Sequence, residues 1–316
     1  MRKPVAVLVL WIAAAGFAVA QTPAPESVTV TGTKEREVLR GFVDSVAAPT
    51  HYVGKLARWE VPICPYTAGI KPEAAQFVTD RVKAVAAEIG APVSTDAKCT
   101  FNIEIVFTKT PQALLNDMKK NQPALLGYQS SSEEMDRLAT FSRPIEARYT
   151  TATKDLRGKV EIDSPGTISR GQGLTMQFPC AMLGRKFEPP GKICTNTIPQ
   201  ARKLAVTGAR LGDGLRSNFY HIVIVVDPRL IAGQQLDAVS DYIAMLSLTQ
   251  LGSLDNCQTL PSIVNLLAKD CASPPNGLTV TDKGYLRGLY RMQADMNLGV
   301  QKNEIATQME QAMVSQ

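Results

Sequence analysis

Histidine is almost absent. The 316 residues contain two, His51 and His221. A three-histidine metal centre is therefore excluded, and a Ser-His-Asp triad has only these two imidazoles to draw on. No CxxC pair occurs and no histidine lies near a cysteine, which argues against a zinc-thiolate site. Basic runs stop at two residues, and the net charge of +5 includes Arg2 and Lys3, which excludes a nucleic-acid argument from charge. No later apolar run reaches the ~20 residues of a spanning helix, so no transmembrane segment is expected in the mature chain. Internal repeats and useful heptads are missing as well. Gly171-Gln172-Gly173 lacks the strand and helix that a phosphate-binding loop needs on either side.

What is present starts at the N-terminus. Arg2 and Lys3 form a positive region, Val5 to Phe17 an apolar one, and Ala18-Val19-Ala20 a small-x-small site before Gln21. This is the layout of a secretory signal peptide, so cleavage is expected between Ala20 and Gln21 and the mature protein is expected in the periplasm or outside the cell. The six cysteines, Cys64, Cys99, Cys180, Cys194, Cys257 and Cys271, agree with an oxidising compartment. Proximity in sequence favours Cys180–Cys194 and Cys257–Cys271, with Cys64–Cys99 left over.

Along the chain, Gln21 to Glu26 reads as a flexible leader and Val28 to Thr31 as a short edge strand. Lys34 to Ala47 has helical spacing. Arg58 to Cys64 reads as a strand, the stretch after Pro72 as a helix ended by Gly90 and Pro92, and Phe101 to Phe107 as a strand. Strand, helix, strand predicts a parallel βαβ unit. Two short helices, near 111–120 and 131–140, precede a strand over Ile145 to Thr153. Lys154 to Pro199 loses all periodicity and is read as a loop or hairpin insertion. Ala201 to Thr207 is expected to be a strand, and His221 to Val226 a central one. A helix follows over Gln235 to Leu251, then a cysteine-bounded loop, a helix capped by Thr281, and a polar helix over 293–316. The domain plan is therefore a signal peptide at 1–20, a leader at 21–33, one α/β domain at 34–292 with an insertion near 154–199, and a helical tail.

The order from the βαβ unit to Ser262-Ile263-Val264-Asn265 and Leu289-Tyr290 resembles the metzincin branch of the zincin peptidases. It also resembles a family of secreted bacterial proteins with the same C-terminal pattern. The resemblance implies an α/β (α+β) fold with a zincin-like mixed sheet, flanking helices and disulfide bonds. In that register the three ligand histidines fall on Ser240, Ala244 and Gln250, and the general-base glutamate on Asp241. Ser, Ala and Gln do not supply a catalytic zinc site, so neither metal nor cofactor is expected.

Two uses of the scaffold remain. As a binding protein it presents Ser240, Asp241, Ala244, Ser247 and Gln250 along an open cleft to a peptide, cell-wall material or an envelope protein. As a metal-independent hydrolase it uses His221, Asp241 or Ser247. Against these stand plainer readings: a structural histidine at a strand end, a hydrogen-bonded carboxylate, and a small packing serine without a GxSxG elbow. A purely structural envelope protein is the third possibility.

Overall fold

The computed structural model describes residues 33–163, 174–179, 193–198, 204–209, 211–252 and 255–314. The signal peptide, the leader, the Val28–Thr31 strand and the Cys180–Cys194 pair lie outside the described residues.

An eleven-residue strand that ends in the β-branched run Ile222–Val226 lies at the centre of the main sheet. In chain order the strands are β1 (Ala57–Arg58), β2 (Pro65–Ala68), β3 (Ile103–Phe107), β4 (Ile145–Lys154), β5 (Val160–Ile162), β6 (Leu174–Pro179), β7 (Ile193–Ile198) and β8 (Arg216–Val226). The helices are α1 (Thr33–Val46), α2 (Pro72–Ile89), α3 (Pro111–Asn121), α4 (Ser132–Leu138), α5 (Leu236–Leu248), α6 (Val280–Arg291) and α7 (Leu298–Val314). Single 3₁₀ turns cover Pro123–Leu126 and Ile263–Leu267.

The main sheet runs β2-β3-β8-β4-β5, with β1 beside the start of β8. β2, β3 and β1 are parallel to their neighbours, whereas β4 is antiparallel to β8 and β5 antiparallel to β4. The sheet is thus mixed and flanked by helices. β6 and β7 pair with each other as an antiparallel hairpin.

The βαβ unit forms as its sequence predicts. Pro72 opens α2, Gly90 closes it in the left-handed region at φ 84°, and Val78, Val82, Val85, Ala86 and Ile89 face the core. The Cys64–Cys99 disulfide pins the unit, and Cys257–Cys271 closes the loop between α5 and α6. Two disulfides fit an oxidising compartment.

One large core joins the sheet face formed by Ile103, Ile105, Ile222 and Ile224 to α1, α2, α5, α6 and α7. A smaller core lies on the other face, where Val223 and Val225 meet α3, the Pro123–Leu126 turn and α4. α7 belongs to the large core through Ile305, Ala306 and Met309. It packs so closely on α6 that a Cβ on Gly288 would lie 3.0 Å from the Ile305 Cα, a tight contact that glycine avoids.

Several expectations need correction. The ladder expected over Arg58–Cys64 lies instead at Pro65–Ala68, preceded by the Ala57–Arg58 pairing and a single parallel bridge from Ile63 to Val93. Pro62 has no N–H to give, and the Cys64 N–H is spent on the Asn102 side chain. Residues 204–207 are irregular, because Ala205 N–H goes to the Asp155 carboxylate rather than to a strand. α6 is capped two residues earlier than expected. Thr279 and Asp282 form a capping box, and Asp282 also binds Ser262 and the Ile263 N–H. Within the 154–199 stretch, β5 joins the main sheet and β6 and β7 supply the hairpin.

Among the described residues no helix is long and apolar enough to cross a membrane. Among the same residues no group of three or more His, Cys, Asp or Glu stands where it could hold a metal ion.

Candidate functional site

α5 is the helix on which the sequence places its candidate residues. Every residue from Ala238 to Leu248 is buried. Its faces pack on the sheet, on α2 and on the Ile263–Leu267 turn. The open cleft expected along Ser240, Ala244 and Ser247 is therefore filled: all three have 0% exposure. The Ser240 hydroxyl donates to the Leu236 carbonyl at 2.7 Å and the Ser247 hydroxyl to the Ile243 carbonyl at 2.8 Å, so both are spent inside the helix.

The carbonyls at the buried C-terminal end of α5 also need partners, since water does not reach them. Trp59 Nε1 donates to the Ser247 carbonyl at 2.8 Å, and the Tyr290 hydroxyl to that of Leu248 at 3.1 Å. The Tyr149 hydroxyl stands 3.0 Å from the Leu246 carbonyl and 3.1 Å from that of Thr249. Burial pushes the Tyr149 and Tyr290 phenols well above their ordinary range.

Asp241 is a clamp between elements. Its carboxylate pairs with Arg81 of α2 through two nitrogens and accepts the Leu278 N–H at 2.8 Å. One side chain thus ties α5 to α2 and to the chain entering α6.

His221 lies elsewhere. It shares the sheet face of Val223 and Val225, opposite α5, and its Nε2 stands 3.1 Å from Glu104 Oε1 on β3. The sheet separates it from Ser240, Asp241 and Ser247, so the structure does not bring the hydrolase candidates together. Gln250 alone reaches an accessible wall, and its carbonyl accepts the Ala48 N–H.

The accessible concavity runs along the outer edge of β4. One part is walled by Thr50, His51, Gly127, Tyr128 and Gln250, with Tyr149 and Thr151 as floor. The other part is walled by Arg137, Thr140, Arg143 and Leu251, over Ile145 and Ala147. Both share Leu138, Ala147, Arg148 and Tyr149, and so form one groove.

The ladder shows which part of this edge has no partner strand among the described residues. β5 pairs with β4 only over Ala152–Lys154, and the Asp163 N–H continues the ladder to the Thr151 carbonyl. From Ile145 to Thr150, β4 has β8 on one side and no strand on the other among the described residues. The Asp227 N–H donates to the Pro144 carbonyl, which fixes the alternation. Glu146, Arg148 and Thr150 turn their backbone groups toward β8, and Ile145, Ala147 and Tyr149 turn theirs outward.

Two of those outward carbonyls are covered. Arg148 Nη1 donates to the Ala147 carbonyl at 3.1 Å. Gly127, at φ 105°, lies against the Tyr149 carbonyl, where a Cβ would come within 2.6 Å of the oxygen. Only glycine allows this approach and this φ together. The Arg148 guanidinium is otherwise fixed by the carbonyls of Leu138 and Thr140 and by Glu146. Glu146 in turn accepts the N–H groups of Ser142 and Arg143, which shapes the groove wall.

These residues were not singled out by sequence reasoning. A signal existed in Ile145–Thr153: Glu146 and Arg148 are two apart in a strand otherwise rich in apolar and β-branched residues, so they share a polar face.

No family model, no curated protein and no solved structure matches this chain.

Proposed function

We propose that this chain is a secreted, non-catalytic binding protein on a zincin-like scaffold, and that it holds an extended polypeptide segment along the outer edge of β4. The single observation that carries this reading is the outer side of β4 at Ala147 and Tyr149, which pairs with no strand among the described residues and lines a groove, beside a helix whose candidate residues are all buried. An edge strand offers unspent backbone groups to another extended chain, which is the basis of strand addition.

The zincin-like part of the reading is supported by an antiparallel strand beside β8 and by β8 leading into α5. The secreted part is supported by the Arg2 to Ala20 pattern and by the two disulfides, and N-terminal sequencing of the mature protein tests it: the first residue is Gln21.

The test of binding is amide hydrogen exchange on the mature chain, with and without a mixture of unstructured ten-residue peptides. Protection of the Ala147 and Tyr149 amides is expected, together with its loss at Tyr149 in Ala147→Pro, which removes an outward N–H without removing a β4–β8 bond. Unchanged exchange at both amides rejects the reading.

A further inference from the structure

The segment that leads into α6 carries the only Asn-Gly pair of the chain, Asn276-Gly277. An asparagine before a glycine is set up to modify itself, because no Cβ shields the following nitrogen and the backbone bends freely enough to bring it up to the side-chain amide carbon. A fold prevents this by fixing that nitrogen in a helix or a ladder. Here it does not. Residues 272–279 belong to no helix or strand, Asn276 is exposed and Gly277 is half-buried. Neither the Asn276 amide nor the Gly277 N–H has a hydrogen-bond partner among the described residues.

The residues that follow are held closely. The Leu278 N–H donates to Asp241 at 2.8 Å, the Thr279 N–H to Asp282 at 2.9 Å, and the Thr279 hydroxyl to the Pro261 carbonyl at 2.8 Å. A Cβ on Gly277 would stand 3.0 Å from Asp241 Oδ2, so the chain lies against the clamp itself. Upstream, Cys271 is tied to Cys257. Any length added at Asn276 therefore falls between two anchors, just before the Leu278 N–H.

We propose that Asn276 is a site of spontaneous deamidation, and that its isoaspartyl product loosens the junction of α5, α2 and α6. The Gly277 nitrogen gives its proton to solvent and bonds to the Asn276 side-chain carbon. The side-chain nitrogen leaves as ammonia, taking up a proton from water. Water then opens the cyclic imide at one of its two carbonyls. Opening at the side-chain carbonyl leaves aspartate. Opening at the main-chain carbonyl leaves isoaspartate, whose main chain runs through the former side chain and is longer by a methylene. Overall a water enters and an ammonia departs. Both products add a negative charge two residues before the N–H that Asp241 accepts, and the longer one also displaces that N–H. None of this depends on what the β4 groove binds.

The test incubates the mature chain, disulfides intact, in mildly alkaline buffer at body temperature beside the peptide acetyl-Pro-Asn-Gly-Leu amide. Samples are digested and mapped by mass spectrometry with fragmentation that tells isoaspartate from aspartate. Asn276 is expected to convert before every other asparagine, at a rate within about tenfold of the peptide's, as in a segment without local protection. The isoaspartyl form, separated by ion exchange, is expected to melt about 2–6 °C below the fresh chain. Asn276→Ser, incubated alongside, keeps its melting point. Conversion slower than that limit means that the fold shields Asn276, and overturns the site. Conversion at the peptide's rate with no fall in melting point overturns the effect on the junction.

Discussion

Asp241 is where a structural and a chemical reading of α5 part company, and its removal decides between them. Asp241→Ala takes away the acceptor of the half-buried Leu278 N–H and the partner of Arg81. An N–H left without an acceptor costs about 1–3 kcal/mol. The arginine contributes less, because its side chain is 37% exposed and recovers water once the carboxylate is gone. The total is about 2–3 kcal/mol, a fall in Tm of about 5–10 °C for a domain of this size. Arg81→Ala leaves the opposite fragment, a carboxylate whose side chain is only 5% exposed. A buried charge stripped of its partner costs about 3–5 kcal/mol. The arginine variant is therefore expected to be the weaker of the two, although it alters the more exposed residue. Urea unfolding of both variants with the disulfides intact provides the measurement. A change under about 0.5 kcal/mol for Asp241→Ala, or the reverse order, would refute the clamp and return Asp241 to the list of groups held ready for chemistry.

Four further outcomes are expected. Burial raises the Asp163 carboxyl above the ordinary aspartate value of 3.8, although Thr151 and Thr153 hydroxyls oppose the shift. The folded state then holds this proton more tightly than the unfolded chain, so the contribution is present below about pH 4 and lost as pH rises through the folded value. Asp163→Asn should accordingly gain stability relative to wild type between pH 4 and 7 in thermal melts. Loss of the Cys257–Cys271 disulfide, which closes a separation of 14, should cost about 3 kcal/mol, and loss of Cys64–Cys99, with a separation of 35, about 4 kcal/mol, by denaturant titration of the paired Cys→Ser variants. Dialysis against zinc followed by metal analysis should find no stoichiometric ion, and chelation should leave the melting curve unchanged; bound zinc at one per chain contradicts this. Gly127→Ala should lower stability by about 1–3 kcal/mol and speed exchange at Tyr149, because a rigid backbone oxygen stands where the methyl must go.

The periodic parts of the chain were legible. Helical spacing in α1 and α2, the apolar run of β8 and the βαβ order all follow from side-chain patterns that the structure uses directly. Strand edges were not. Nothing in Arg58–Cys64 says that Asn102 takes the Cys64 N–H, or in 201–207 that Asp155 takes the Ala205 N–H, since both partners are distant in sequence. The capping box shows the same limit at short range: Thr279 and Thr281 are equally good caps as residues, and Asp282 decides between them. The groove escaped notice because its chemistry is mostly backbone. Which amides of β4 face outward depends on its register with β8, and that is a matter of pairing and not of composition.

The enclosure of α5 also bears on engineering. Placing histidines at Ser240, Ala244 and Gln250 copies the spacing of a peptidase but not its access. Two of the three positions have no solvent above them, so imidazoles there would displace packed neighbours before meeting an ion. Building hydrolysis into such a body calls first for excavation, by shortening the disulfide-closed turn that roofs the helix, and only then for ligands.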